Sequence, residues 1–171
     1  MINNKSFTLV ELLVTVAIFS LVAGAASGVF VQALKAQRKT LASQELLDQT
    51  SYLMEYMSRA IRMAQKDIAG DCIGAKLNYK IVDNGIKFLN YKGNCQKFYL
   101  EGNQLKESNS TTSDLTSPSL WVNSFHIVEY GWSQDDDLQP RVTLFLEISG
   151  REKSKIKIQT TISQRNPDIE I

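Results

Sequence analysis

The sequence is poor in the residues that most often carry chemistry. It has one histidine, His126, and two cysteines, Cys72 and Cys95, in 171 residues. That is too few for a structural zinc site, which usually takes four Cys/His ligands. Any Ser-His-Asp or Cys-His arrangement would have to use His126, which falls mid-strand with no partner nearby in sequence and reads as structural. An excess of charge is also lacking: Lys and Arg total 19, Asp and Glu 18. The global basic field of a dedicated nucleic-acid binder is therefore absent, and no specific nucleic-acid partner is expected. No Gly-rich phosphate loop or paired-carboxylate constellation stands out, so the expectation is a protein that is not an enzyme and holds no cofactor. Asp135-Asp136-Asp137 offers oxygens that a hard cation could use, but without EF-hand spacing it reads as a charged hairpin loop, and no metal is expected. With 43% hydrophobic and 22% charged residues, the chain is neither disordered nor fibrous.

What is present is an uneven distribution of apolar residues. From Phe7 to Leu34 the chain is apolar apart from Glu11 and a few small polar residues. From Leu12 to Leu34 it has no charge at all. About 20 helical residues cross a ~30 Å hydrocarbon core, so the run is long enough to span. It exceeds the roughly 7–15 apolar residues of a secretory signal. Three readings compete: a plain anchor, a secretory signal cut near Ala23-Gly24-Ala25, and a segment that has a use for Glu11. A carboxylate deep in lipid costs roughly 2.5–3.5 kcal/mol on insertion scales, less near the interface. An anchor or signal gains nothing from it. Gly24-Ala25-Ala26-Ser27-Gly28 is a G-x-x-x-G pattern, which lets helix backbones approach closely in lipid.

The residues around Glu11 read Lys5-Ser6-Phe7-Thr8-Leu9-Val10-Glu11-Leu12-Leu13. This resembles the prepilin leader of the type IV pilin superfamily, which includes the type II secretion pseudopilins. The likeness covers about the first 35 residues: a short basic leader, a small residue before the cut, Phe after it, Glu at the fifth mature position, then a long apolar helix. Ser6 stands where that family prefers Gly; it is small enough for the same cut, and the departure bears on cleavage efficiency. The resemblance implies cleavage between Ser6 and Phe7 by a prepilin peptidase, and N-methylation of the new Phe7 amine. It further implies that Glu11 pairs with the Phe7 ammonium of a neighbouring subunit. At ~4 Å and an effective dielectric of about 20, that attraction is on the order of 4 kcal/mol before desolvation. The expected partners are other pilin or pseudopilin subunits, the peptidase, an inner-membrane assembly platform, and the bilayer before assembly. Lys35, Arg38 and Lys39 follow the apolar run while only Lys5 precedes it, which by the positive-inside rule alone would put the C-terminal end in the cytoplasm. The leader and the cysteines argue for the opposite: an inner-membrane protein with its C-terminal domain outside the cytoplasm. Outside the inner membrane a Cys72–Cys95 disulfide is the favoured reading, two buried thiols the other. A bond would close a loop of about 24 residues, worth ~3 kcal/mol by chain entropy.

Beyond the apolar run the helical period continues, with Leu46/Leu47, Thr50, Leu53/Met54, Met57, Ala60/Ile61 and Ala64 at three- and four-residue spacings. No Pro or Gly interrupts Val29 to Ala69. One helix from near Phe7 to about Lys66 is expected, with Arg59 and Arg62 as solvated charges. After Gly70 the period becomes two. Strands are expected from Leu77 to Ile81, Ile86–Tyr91, Gln96–Glu101 and Gln104–Lys106, and 107–119 as a surface loop. Further strands follow at Leu120–Trp132, Arg141–Ser149 and Lys155–Ser163. Trp121 and Trp132 read as core or sheet-edge aromatics. The fold class is α+β: a long N-terminal helix whose second half packs on an antiparallel sheet of about six strands. The expected segments are a leader at 1–6, a transmembrane or filament-core helix at 7–34, an amphipathic half at 35–69 and a β domain at 70–171. Function reads as an assembly subunit, a minor pilin or pseudopilin. The rivals are a secreted binding module and a single-pass membrane protein with an extracytoplasmic β domain.

Overall fold

The computed structural model describes residues 8–132 and 138–165. The chain divides into two compact units, Met1–Leu41 and Ala42–Ile171. A single helix, α1 (Leu9–Arg62), contributes to both. Thr8 caps its start: the hydroxyl accepts from the Glu11 backbone N–H at 3.3 Å, and the Thr8 carbonyl accepts from Leu12 N–H. That satisfies one of the free donors every helix start leaves. From residue 8 to Leu41 every side chain is exposed. The helix contains a stretch long and apolar enough to cross a membrane.

In the second unit α1 buries one stripe, Ala42, Leu46, Thr50, Leu53, Met54, Met57 and Ile61. These residues recur every three or four positions, so they share one face. The stripe lies against two antiparallel sheets. The first is a five-stranded meander, β1 (Tyr79–Val82), β2 (Gly85–Leu89), β3 (Cys95–Glu101), β4 (Gln104–Asn109) and β5 (Thr111–Asp114), in sequence order. The second has β7 (Arg141–Ser149) between β6 (Trp121–Tyr130) and β8 (Lys155–Ser163). Alternate residues face inward, as strand geometry requires. Ile86, Phe88, Phe98 and Leu105 from one sheet and Val122, Val142, Leu144 and Ile148 from the other are fully or almost fully buried with Met57 and Ile61.

The expected α+β class holds, with three differences in detail. The helix stops at Arg62, not near Lys66, because Gln65 and Asp67 turn to extended pairing with Leu89 and Leu77. Among the described residues the strands number eight in two sheets, not about six in one. Segment 107–119 is not a loop throughout: β4 runs on to Asn109, and β5 returns through Ser110 in a left-handed backbone conformation. All four β5 residues are exposed, so no apolar alternation marks it. Trp132 packs on the core and donates its Nε1–H to the Arg141 carbonyl at 2.9 Å, whereas Trp121 is half exposed at the sheet margin.

Candidate functional site

The first feature is the apolar half of α1. Its hydroxyls do not need an outside partner: Thr15 donates to the Leu12 carbonyl, Ser20 to Val16 and Ser27 to Ala23, each at 2.8 Å. Backbone groups are satisfied within the helix, which is the condition for a segment to sit in lipid. Glu11 lies in the first turn. There the positive end of the helix dipole favours a carboxylate, which gives this residue a local role at the helix start. Gly24 and Gly28 are four apart on one face. Among the described residues, apart from the adjacent residues and the helix's own backbone, nothing lies within 4 Å of where a Cβ would stand on either, leaving a surface on which another backbone can approach closely. Ser6 and Phe7, the expected cleavage and methylation positions, lie outside the described residues, as does Asp135-Asp136-Asp137.

The second feature is the loop between α1 and β1. Cys72 and Cys95 form a disulfide with Cα atoms 5.4 Å apart, within the range a bridge needs. The loop is built on Asp67, whose side chain is buried. Its Oδ1 accepts from Gly70 N–H, and its Oδ2 from Cys72 and Ile73 N–H, all at 2.8 Å. Burial alone would raise this carboxyl. The backbone donors of Ile73, Cys72, Gly70 and Gly74 outweigh it and hold the group below its ordinary value. Gly70 is required as glycine: its φ is +83° and a Cβ would meet the Ala75 backbone nitrogen at 2.8 Å. Asp67 thus presents Cys72 to the start of β3. Sequence reading missed Asp67. Its only trace was an Asp three residues before a Gly, a pattern shared by many surface turns.

The third feature is an open groove of about 630 Å³ beside the second half of α1, lined by Tyr52, Tyr56, Tyr91, Arg59, Met63 and Asn109 among others. Below it Glu107 is almost fully buried; its two oxygens accept from Gln96 Nε2 at 2.7 Å and Tyr56 OH at 2.8 Å. Burial, then the Glu107 carboxylate, pushes the Tyr56 hydroxyl up to about 12. Tyr56 is therefore a fixed donor at any ordinary pH. Glu107 was also missed, because alternation with Leu105 places a charge on a core face, against the usual pattern.

His126 is exposed on β6. Arg59 is exposed and paired with Glu55 at 2.7 Å. Lys155 and Lys157 both pair with Glu147, Lys157 at 3.0 Å; together they hold its carboxyl below its usual value. Among the described residues no group of three His, Cys, Asp or Glu side chains is placed to hold a metal ion.

Residues 1–27 match the family model described as the prokaryotic N-terminal methylation motif, the type IV prepilin leader. No curated protein and no solved structure matches the chain.

Proposed function

We propose that this chain, a pilin-like precursor by its methylation motif and the apolar helix behind it, is a minor pilin or a pseudopilin. The motif implies processing by a prepilin peptidase and assembly with other pilin subunits. In our reading the peptidase cuts between Ser6 and Phe7, and Phe7 is N-methylated. The bilayer then holds 7–34, with the β domain outside the cytoplasm. An assembly platform draws the helix out of lipid into a filament of a type IV pilus or a type II secretion pseudopilus.

The observation that carries this reading is the pairing of the leader motif with a helical stretch, up to Leu34, that is apolar and exposed on every side while keeping one carboxylate, Glu11, in its first turn. Such a surface needs lipid or neighbouring helices around it. The carboxylate makes the choice between those states directional. An ion left in a dry site without its partner typically costs ~3–5 kcal/mol, so a subunit docked with the neighbour's Phe7 ammonium against Glu11 is favoured over one docked out of stagger. Gly24 and Gly28 support close approach of that neighbour. The disulfide suits an oxidising compartment.

Mass spectrometry of the mature N-terminus tests the processing: N-methyl-Phe7 is expected. A start near Ala26 would replace this reading with a secreted module, and an intact Met1 with a single-pass anchor. Assembly is tested apart from processing by Glu11→Ala, which should be cleaved normally yet enter sheared filaments poorly. Wild-type incorporation would overturn the pairing mechanism.

A further inference from the structure

The register of the first sheet lines up a row that no sequence pattern displays. Lys80 on β1 faces Lys87 on β2, Lys87 faces Lys97 on β3, Lys97 faces Ser108 on β4, and Ser108 faces Thr112 on β5. Their strand neighbours Tyr79, Ile86, Phe88, Phe98 and Glu107 are buried, so the row lies on the sheet's outer face. It crosses all five strands and holds three ammonium groups and two hydroxyls, with no carboxylate.

Like charges directly opposite across strands repel and destabilise a sheet. Elsewhere on this face the repulsion is relieved: Lys106, one row over, meets Glu101 at 2.6 Å and Asp114 at 3.7 Å. Among the described residues no carboxylate is in ion-pair range of Lys80, Lys87 or Lys97. Lysines often guard sheet edges against pairing with other chains, which would account for Lys80 on β1. It does not account for Lys87 and Lys97, which sit on interior strands. These two flank a hollow of about 450 Å³ that also takes in Ser108, with Asp83 at its margin.

We propose that this row is a binding face for an acidic polysaccharide, a sugar chain bearing carboxylates. Adjacent strands are about 4.8 Å apart, so the row offers positive charge at short, regular intervals and then hydroxyl donors. A chain that carries both carboxylates and hydroxyls meets both kinds of group. A nucleic-acid backbone fits less well. It wants cations along its whole contact, and single strands want aromatic faces for their bases. The aromatic ring of Tyr99 beside the row is covered by the Lys97 ammonium at 4.4 Å. The inference stands on the sheet register and does not depend on the assembly reading.

The test uses the full chain in non-ionic detergent with alginate as probe, neutral dextran and a short DNA duplex as comparisons, and thermal unfolding as a second readout. Wild type should bind alginate, more weakly as salt rises, and should bind dextran and the duplex less well. The double variant Lys87→Gln/Lys97→Gln should lose roughly tenfold in alginate affinity, and its melting midpoint should rise because the repulsion is gone. Lys155→Gln/Lys157→Gln, on the other sheet, should bind alginate as wild type does. The proposal is overturned by no alginate binding, by undiminished binding in the Lys87/Lys97 variant, by equal binding of dextran, or by a preference for the duplex. A Lys87/Lys97 variant that melts lower would make the row structural and overturn it equally; Lys80→Gln, at the edge strand, repeats the comparison with the least disturbance of the sheet.

Discussion

The two halves of α1 share a backbone and little else. Between residue 8 and Leu34 apolar residues surround the axis, and every side chain as far as Leu41 is exposed. From Ala42 to Arg62 they narrow to one stripe, and that stripe is buried under two sheets. A soluble helix is held mainly by packing of one apolar face. A helix apolar on every side is held by whatever medium surrounds it. One continuous run of hydrogen bonds therefore joins a part whose order comes from its own domain to a part whose order comes from outside the chain.

That contrast is testable by matched substitutions, read as urea midpoints of the β domain with the chain in detergent. Met57→Ala removes a fully buried side chain and should cost about 2–5 kcal/mol. Leu13→Ala, in the exposed half, should leave the midpoint unchanged within about 0.5 kcal/mol. A comparable loss from both would show that the halves fold as one unit, against the contrast drawn above. Next in size, Cys72→Ser/Cys95→Ser should cost about 3 kcal/mol, and a reducing agent should produce the same shift in wild type and none in the variant. Asp67→Asn should follow, at about 1.5–3 kcal/mol, the worth of hydrogen bonds to a charged acceptor.

The Asp67 effect should also depend on pH. Its folded-state value is depressed, so the stabilisation is complete above the ordinary carboxylate range and is lost as pH falls through the folded value. Wild type and Asp67→Asn should therefore converge in acid. A gap that stays constant with pH would mean the loop is held by shape and not by the charge. The smallest effect is expected from Arg59→Ala. It breaks an i,i+4 pair with Glu55 in which both side chains are about three-quarters exposed, and the cost should be about 0.3–0.5 kcal/mol, falling with salt.

The legible parts of the sequence were those where one periodicity runs unbroken. The absence of Pro and Gly between Val29 and Ala69 gave the long helix. Strict alternation at Val142, Leu144, Leu146 and Ile148 gave β7, and Ile156, Ile158 and Ile162 gave β8. β5 was hidden because a strand with both faces wet carries no alternation. The split into two sheets was hidden because it is decided by which strands pair: β1 to β5 with one another, and β6, β7 and β8 with one another. At the candidate site, Glu11 and the glycines were visible because a membrane run makes any polar or small residue conspicuous. The Cys72–Cys95 bond was the favoured reading over two buried thiols and is present, whereas Asp67 and Glu107 were invisible. Their roles come from backbone donors and side chains brought in from distant segments.

The end of α1 is finished by residues made much later. Gln164 donates its side-chain amide to the Ala64 carbonyl at 3.0 Å, and Arg165 N–H reaches the Arg62 carbonyl at 2.8 Å, which seals carbonyls that a helix terminus leaves open. The partners are about a hundred positions downstream, so during synthesis the end of α1 emerges well before the residues that close it. A chain interrupted by a stop codon or a protease before β8 is complete would leave that terminus frayed. In this way the end of the helix is closed only in a chain that has been made through β8.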